Sequence, residues 1–339
     1  MSHLTYGEAG IIGLIQGVTE LFPVSSLGHS VLIPAIIGGQ WAKDLNVSAA
    51  NSPYLAYVVG LHVATALAMI IFFWRDWVRI VVGFFASLRH IARPAPGTRR
   101  WEPQNADQTL AWMIILAPIP IGLAGVALQH LFTHVFSRPV LTAGFLFVNG
   151  LILLGGERLR RRGADTEAQQ VAADREMATA AVGGGAGRHS SGQRAVKQQQ
   201  ASLAVESDRR LVRVGLLGGV LLGATQIFAL LPGISRDGIV MVSGMLRGLS
   251  RQDAARFSFL LSAPVIFAAG ALKIHDLTGP LGHGIRAQVL FGSLVCGISA
   301  YLALRFLVRY FSDASRTLTP FAIYCLAAGL GSAIYLTVR

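Results

Sequence analysis

Phe22-Pro23-Val24-Ser25-Ser26 cuts an apolar stretch that otherwise runs from Tyr6 to Gly38, and Leu231-Pro232-Gly233-Ile234-Ser235-Arg236 cuts a second, from Val214 to Leu246. Each arm is about 15 residues, or about 22 Å of helix, too short to cross the hydrocarbon core alone but long enough to reach mid-membrane and return. The breaks carry residue types that end one helix and start another: proline removes a backbone donor, and serine caps a helix start. Two re-entrant helical hairpins are therefore expected, at 6–38 and 214–246.

Working outward, six stretches are apolar for about the 20 residues a spanning helix needs: 54–74, 110–128, 139–156, 254–272, 287–304 and 318–336. The order is hairpin and three spans, a long polar segment, then hairpin and three spans. Each half crosses an odd number of times, so the second half starts on the opposite side and the hairpin tips meet near the midplane. The expected fold is all-α integral membrane, an inverted-topology repeat with a first repeat at 1–157 and a second at 214–339. Between them, 158–213 contains Gly183-Gly184-Gly185 and Gln198-Gln199-Gln200 with little to bury, and reads as a flexible cytoplasmic linker with room for a short Ala-rich helix at 166–182.

Composition agrees. Of 339 residues, 53% are hydrophobic and 14% charged, too apolar for an ordinary soluble domain of this length. The net charge of +12 would suit a nucleic-acid binder if it were not dispersed between apolar segments. With 75–100, 158–213, 247–256 and 305–316 on one side, that side holds 23 of the 29 lysines and arginines and is expected to be cytoplasmic. Both termini and the mouth of the first hairpin then face outward, and the second hairpin enters from the cytoplasm. Met1 to Tyr6 has no Lys or Arg and no A-x-A-like site precedes residue 20, so the first apolar stretch is kept in the fold. Cys296 and Cys325 have no metal or disulfide spacing. A soluble enzyme and a nucleic-acid partner are excluded; monomer and homodimer both stay open.

Charged residues near the bilayer centre cost about 2.5–3.5 kcal/mol each on insertion scales and usually face a partner or a wet cavity. Glu20, Arg236 and Asp237 all fall at the hairpin tips. Gln16 and Glu20 share a helix face, and Ser25, Ser26 and His29 span one turn after the break, so all five are expected to line one cavity. Ser25 or Ser26 caps the returning helix, as Ser235 does before Arg236; such helix starts offer free N–H groups and a positive dipole end. Two of them facing each other beside an arginine fork make an anion site, and inside a membrane its ligand is an amphiphilic phosphate. Glu20, Ser26 and His29 supply a carboxylate, a hydroxyl nucleophile and an imidazole for hydrolysis, with Mg²⁺ or Ca²⁺ as the expected cation. His62, alone on an apolar span, reads as an interhelical hydrogen-bonder, at most second to the reacting groups.

The run from Gln16 to His29 resembles the (E/Q)-G-x-T-E-x-x-P-V-S-S-x-G-H signature of undecaprenyl-diphosphatases, also called bacitracin-resistance proteins. The run from Gln226 to Arg236 is similar to that family's Q-x-x-A-L-x-P-G-x-S-R-S-G-x-T motif, and Leu61–Thr65 and Arg256–Pro264 match further segments. The resemblance implies a bacterial inner-membrane enzyme that removes the terminal phosphate of undecaprenyl diphosphate on the outer side, returning the peptidoglycan lipid carrier to use. It implies Glu20 in metal or acid/base chemistry, Ser26 as nucleophile, His29 as acid/base or alternative nucleophile, and Arg236 on the diphosphate. Gln16, Ser25, Gly28, Gln226, Gly233 and Ser235 would bind substrate. Three positions depart: Leu27 for a Ser/Thr, Asp237 for the Ser after the arginine, and Val240 for the final Thr. Asp237 then has two readings, a metal ligand complementing Glu20 or a partner of Arg236 and helix cap. Two rival functions stay open: a polyprenyl-phosphate transporter or flippase, and a phosphatase for a different lipid diphosphate.

Overall fold

The computed structural model describes residues 4–45, 53–94, 97, 99–128, 138–179, 207–208, 210–278, 284–313 and 315–338. All regular structure among them is helical, and five helices are long and apolar enough to cross a membrane, or six counting one bent pair. The first hairpin is α1 (Tyr6–Thr19) and α2 (Ser26–Ile37), followed by the short α3 (Gly39–Asp44). Thr5 and Glu8 form a reciprocal capping box that starts α1. The second hairpin is α9 (Gly215–Ala224), a 3₁₀ turn (Thr225–Leu230) and α10 (Arg236–Leu246). The tips are the non-helical residues between the arms.

The expected spans are all helical, with boundaries that packing has moved. Helix α4 (Pro53–Phe72) turns by 84° at Phe73 into α5 (Trp74–Ala92). Helix α5 has apolar Val78, Val82 and Phe85 exposed and Arg75, Arg79 and Arg89 interleaved, the pattern of a helix lying along an interface. The span expected at 110–128 is long and apolar enough to cross as one, Ala106–Ala127, with a short break between α6 (Ala106–Leu116) and α7 (Ile119–Ala127). Pro118 and Pro120 account for the break, since neither offers the N–H that a continuous helix needs at those positions.

Helix α8 (Pro139–Thr179) runs past the expected end of its span at 156 and far into the segment read as linker. Residues 180–206, with the triple glycine and triple glutamine, lie outside the described residues. The end of that segment is docked: Leu211 is buried, Asp208 pairs with Arg79 at 2.6 Å and Arg256 at 2.7 Å, and Arg210 pairs with Asp253 at 2.6 Å. The far end of the segment expected as a flexible linker over 158–213 is thus fastened, by ion pairs too sparse to read in sequence. The remaining spans are α11 (Arg251–Thr278), α12 (Arg286–Ser312) and α13 (Thr319–Val338).

Helix α1 packs on α12, α9 packs on α6 and α7, α8 packs on α13, and α4 packs on α11 and α12. Small residues permit these approaches. A Cβ on Gly150 would lie 2.8 Å from the Ala322 carbonyl, and one on Gly329 2.8 Å from the Ala143 carbonyl, so α8 and α13 meet backbone to backbone.

Candidate active site

The two tips touch. Ser25 holds φ at +68°, unusual for a residue with a Cβ, and costs of this kind, about 1–3 kcal/mol, persist only where surroundings over-determine them. Here its Oγ accepts from Gly28 N–H at 3.2 Å, capping α2, and from Gly233 N–H of the other tip at 3.2 Å. Asn149 of α8, fully buried, closes the join from the side: its Nδ2 donates to the Pro23 carbonyl at 3.0 Å and its Oδ1 accepts from Ser235 N–H at 2.9 Å. Gly28 and Gly233 are where the strands of chain pass, since a Cβ on Gly28 would lie 3.0 Å from Gly233 Cα.

This join sets Glu20 against Arg236. Oε1 of Glu20 accepts from an Arg236 terminal nitrogen at 2.7 Å. Its Oε2 accepts from Ser26 Oγ at 2.5 Å and from Gln16 Nε2 at 2.9 Å, and lies 3.5 Å from His62 Nε2. A hydroxyl donating to a carboxylate at that distance has the geometry that a nucleophile and its general base require. Ser235 caps α10 through Gly238 N–H at 3.1 Å. Glu20, Ser25, Ser26, His62, Ser235 and Arg236 form the polar wall of a cavity of about 580 Å³; the rest of its lining is apolar, from both hairpin tips, the 3₁₀ turn, Pro118, α7 and α11. The starts of α2 and α10 both border it, so the positive ends of two helix dipoles lie at one space.

Several residues expected at the cavity are elsewhere. His29 lies outside the lining: its Nδ1 contacts the Ser25 carbonyl at 2.7 Å, its Nε2 the Tyr324 hydroxyl at 2.7 Å, and its ring stacks on Tyr324. Gln16 is buried behind Glu20, which it steadies. Gly28 and Gly233 are also outside the lining, and both spend their N–H groups on Ser25. Gln226 is fully buried in the 3₁₀ turn, without a partner for its amide among the described residues. Asp237 turns away from the cavity, and its Oδ1 accepts from Ser258 Oγ at 2.8 Å and Ser262 Oγ at 2.7 Å of α11.

The imidazole beside Glu20 is that of His62, whose Nδ1 is fixed by the Val58 carbonyl at 2.8 Å. Sequence reasoning missed its place, and missed Asn149 altogether; the signal for the latter was a lone amide inside the apolar run 139–156. For a metal, the donors fit only in part. Glu20 is the one carboxylate on the cavity wall, Asp237 is committed to two serines, and no group of three His, Cys, Asp or Glu that could hold a metal occurs among the described residues. A hard cation here would share Glu20 with phosphate oxygens, as Mg²⁺ commonly does, rather than sit in a protein cage.

A family model described as "Bacitracin resistance protein BacA" matches residues 9–331, which include both tips and every residue of the cavity's polar wall. The chain belongs to that family. Among its relatives, the undecaprenyl-diphosphatase of Mycolicibacterium paratuberculosis (strain ATCC BAA-968 / K-10) is 53% identical, covering 100% of this chain and 99% of the relative. Undecaprenyl-diphosphatase 2 of Frankia alni is 49% identical over 97% of each chain, and the undecaprenyl-diphosphatase of Acidiphilium cryptum is 35% identical over 96% of each. These BacA relatives carry the name of a phosphatase, and the pairing of a hydroxyl, a carboxylate and a guanidinium at one cavity is what such chemistry requires.

Proposed function

We propose that this chain is a membrane phosphatase that hydrolyses undecaprenyl diphosphate, or a near polyprenyl homologue, to the monophosphate and inorganic phosphate. The observation that carries the reading is Ser26 Oγ at 2.5 Å from a Glu20 carboxylate that Arg236 holds from the other hairpin at 2.7 Å. The diphosphate enters with its charge on Arg236 and the two helix starts. Ser26 Oγ attacks the terminal phosphorus in line with the bridging oxygen, and its proton passes to Glu20. The bond from that phosphorus to the bridging oxygen breaks, its electron pair leaves with the polyprenyl monophosphate, and Arg236 offsets the charge building on the transferring group. Glu20 passes its proton to the departing phosphate oxygen; water, deprotonated by the regenerated carboxylate, then attacks the phosphoserine phosphorus, the bond from phosphorus to Ser26 Oγ breaks, and Glu20 returns the proton to Oγ as inorganic phosphate leaves. Ser26 is preferred to His29 as nucleophile because both His29 ring nitrogens are engaged away from the cavity.

A divalent cation, Mg²⁺ or Ca²⁺, would be held by Glu20 together with the diphosphate oxygens and would neutralise phosphate charge. The reading places the protein in the bacterial cytoplasmic membrane with its cleft open to the outer side, recycling the cell-wall lipid carrier and so conferring bacitracin resistance. An inverted repeat is part of it, supported by the reciprocal packing of α1 on α12 and α9 on α6 and α7. The test is phosphate release by purified protein from undecaprenyl diphosphate, with Mg²⁺, with Ca²⁺ and with EDTA, for wild type, Ser26→Ala and Arg236→Ala. Release by wild type alone supports the reading; tight lipid binding without release under any condition would favour a carrier.

A further inference from the structure

The headgroup cavity has a polar wall on one side only. Across from Arg236 its lining is Ile121, Gly122 and Gly125 of α7 and Val265, Ala268 and Ala269 of α11. A second cavity of about 420 Å³ adjoins it, the two being lined in common by Pro118, Val265 and Ala268. This second space is walled by apolar side chains, with Ile80 and Phe84 from α5, Ile114 and Ile115 from α6, and Pro264 from α11. The junction lies at Pro118, where α6 gives way to α7.

Two glycines of α7 that line the headgroup cavity have no packing reason to be glycine. A Cβ on Gly122 or Gly125 would meet nothing within 4 Å, whereas on Gly219 it would run into Met113 and on Gly223 into the backbone of Ala117. The small residues of α9 let helices touch; those of α7 leave a space open beside a reactive headgroup site. A lipid whose diphosphate sits on Arg236 must send its chain out through an apolar exit, and the adjoining apolar cavity lies past Pro118.

The geometry points to a tail subsite for the isoprenoid chain of a polyprenyl diphosphate, between α7 and α11, past Pro118 and onto the apolar face of α5. This rests on the phosphatase reading of the headgroup cavity. It assigns α5 a place in substrate selection, and makes the residues that narrow or widen the groove, Ile115 and Val81 among them, determinants of chain length. Isoprene units beyond the groove would lie among the bilayer lipids.

The experiment uses full-length protein in nanodiscs and two substrates. Dimethylallyl diphosphate has a tail that ends in the headgroup cavity; farnesyl diphosphate reaches into the groove. Ile115→Trp fills the groove from a partly exposed position, and Val81→Trp does so from α5 should the first variant fold poorly. The expected result is a KM for farnesyl diphosphate raised about tenfold or more, with KM for dimethylallyl diphosphate and both kcat values unchanged. Equal changes for the two substrates, or none for either, would overturn the subsite. A farnesyl diphosphate carrying a terminal diazirine gives a readout that does not need turnover. Crosslinks concentrated on α5 and α6 and lost in Ile115→Trp support the subsite, and crosslinks spread equally over lipid-facing α13 reject it. Crosslinks on α5 without phosphate release from any diphosphate would sink the phosphatase reading while leaving the tail site standing.

Discussion

Arg236 and Arg256 are both guanidiniums held against carboxylates inside the helical assembly, yet their surroundings differ in one respect. The fork of Arg256 is filled: it donates to Asp76 at 2.6 Å, Asp208 at 2.7 Å and Ser207 at 3.2 Å, and Asp208 is shared with Arg79, which also holds Asp107 at 2.6 Å. Arg251 is similarly complete on Glu157, which also takes Arg161 and the Leu318 N–H. Arg236 gives one nitrogen to Glu20, its Nε has no partner among the described residues, and its side chain borders a cavity. A saturated ion network fastens helices together. An unsaturated one beside open space leaves a donor that a charged ligand could take.

Substitutions can break or sharpen this contrast. The largest effect is expected at Glu20→Gln, which keeps the shape but removes the base in contact with Ser26: phosphate release should fall by about 10²–10⁴. A fall smaller than tenfold would move the base to another group. Arg236→Ala should lower release by about 10²–10³. Its counterpart Arg256→Ala should leave kcat per folded molecule unchanged and cost about 3–5 kcal/mol of stability, because it strands buried carboxylates. Thermal unfolding and turnover measured on the same preparations separate the two, and a collapse of kcat in folded Arg256→Ala would erase the distinction.

Gly28→Ala comes next. It leaves every polar group in place but pushes a Cβ against Gly233, and displacements of about 1 Å at a reacting centre can cost 10²-fold. Wild-type turnover in that variant would show that the tips have slack. Asn149→Ala strands the Pro23 carbonyl and the Ser235 N–H, each an unpaired buried group costing about 1–3 kcal/mol. A fall in melting temperature accompanied by lost turnover is expected, and turnover without any loss would remove Asn149 from the tip assembly. The smallest effect belongs to Asp237→Ser, which faces α11 rather than the cavity: activity and Mg²⁺ dependence should be unchanged. A shifted metal requirement there would return Asp237 to the site.

The breaks at Pro23 and Pro232, the spans, and the misplaced charges Glu20 and Arg236 were legible because each is a local property: a missing donor, a run of apolar side chains, a charge where none should be. The span at 110–128 was legible too, but its short internal break was not, because a sequence window counts apolar residues across Pro118 without seeing where the helix parts. The end of 158–213 was misread because its anchors, Asp208 and Arg210, find partners far away in the chain, at Arg79, Arg256 and Asp253.

Which imidazole stands beside Glu20 was beyond any spacing rule. Its choice depends on how α2 and α4 are rotated about their axes, and for α2 that rotation follows a positive φ at Ser25 held by an N–H from the opposite hairpin. Residue order alone dictated that two apolar stretches break at mid-length and which charged groups stand at the breaks, since helix breaks and polarity are written residue by residue. Tertiary structure alone decided that Glu20 and Arg236, 216 residues apart, share one bond, that His29 faces Tyr324, and that Asp237 faces serines. Those outcomes depend on close contacts between segments remote in the chain, and such contacts leave no periodicity to read.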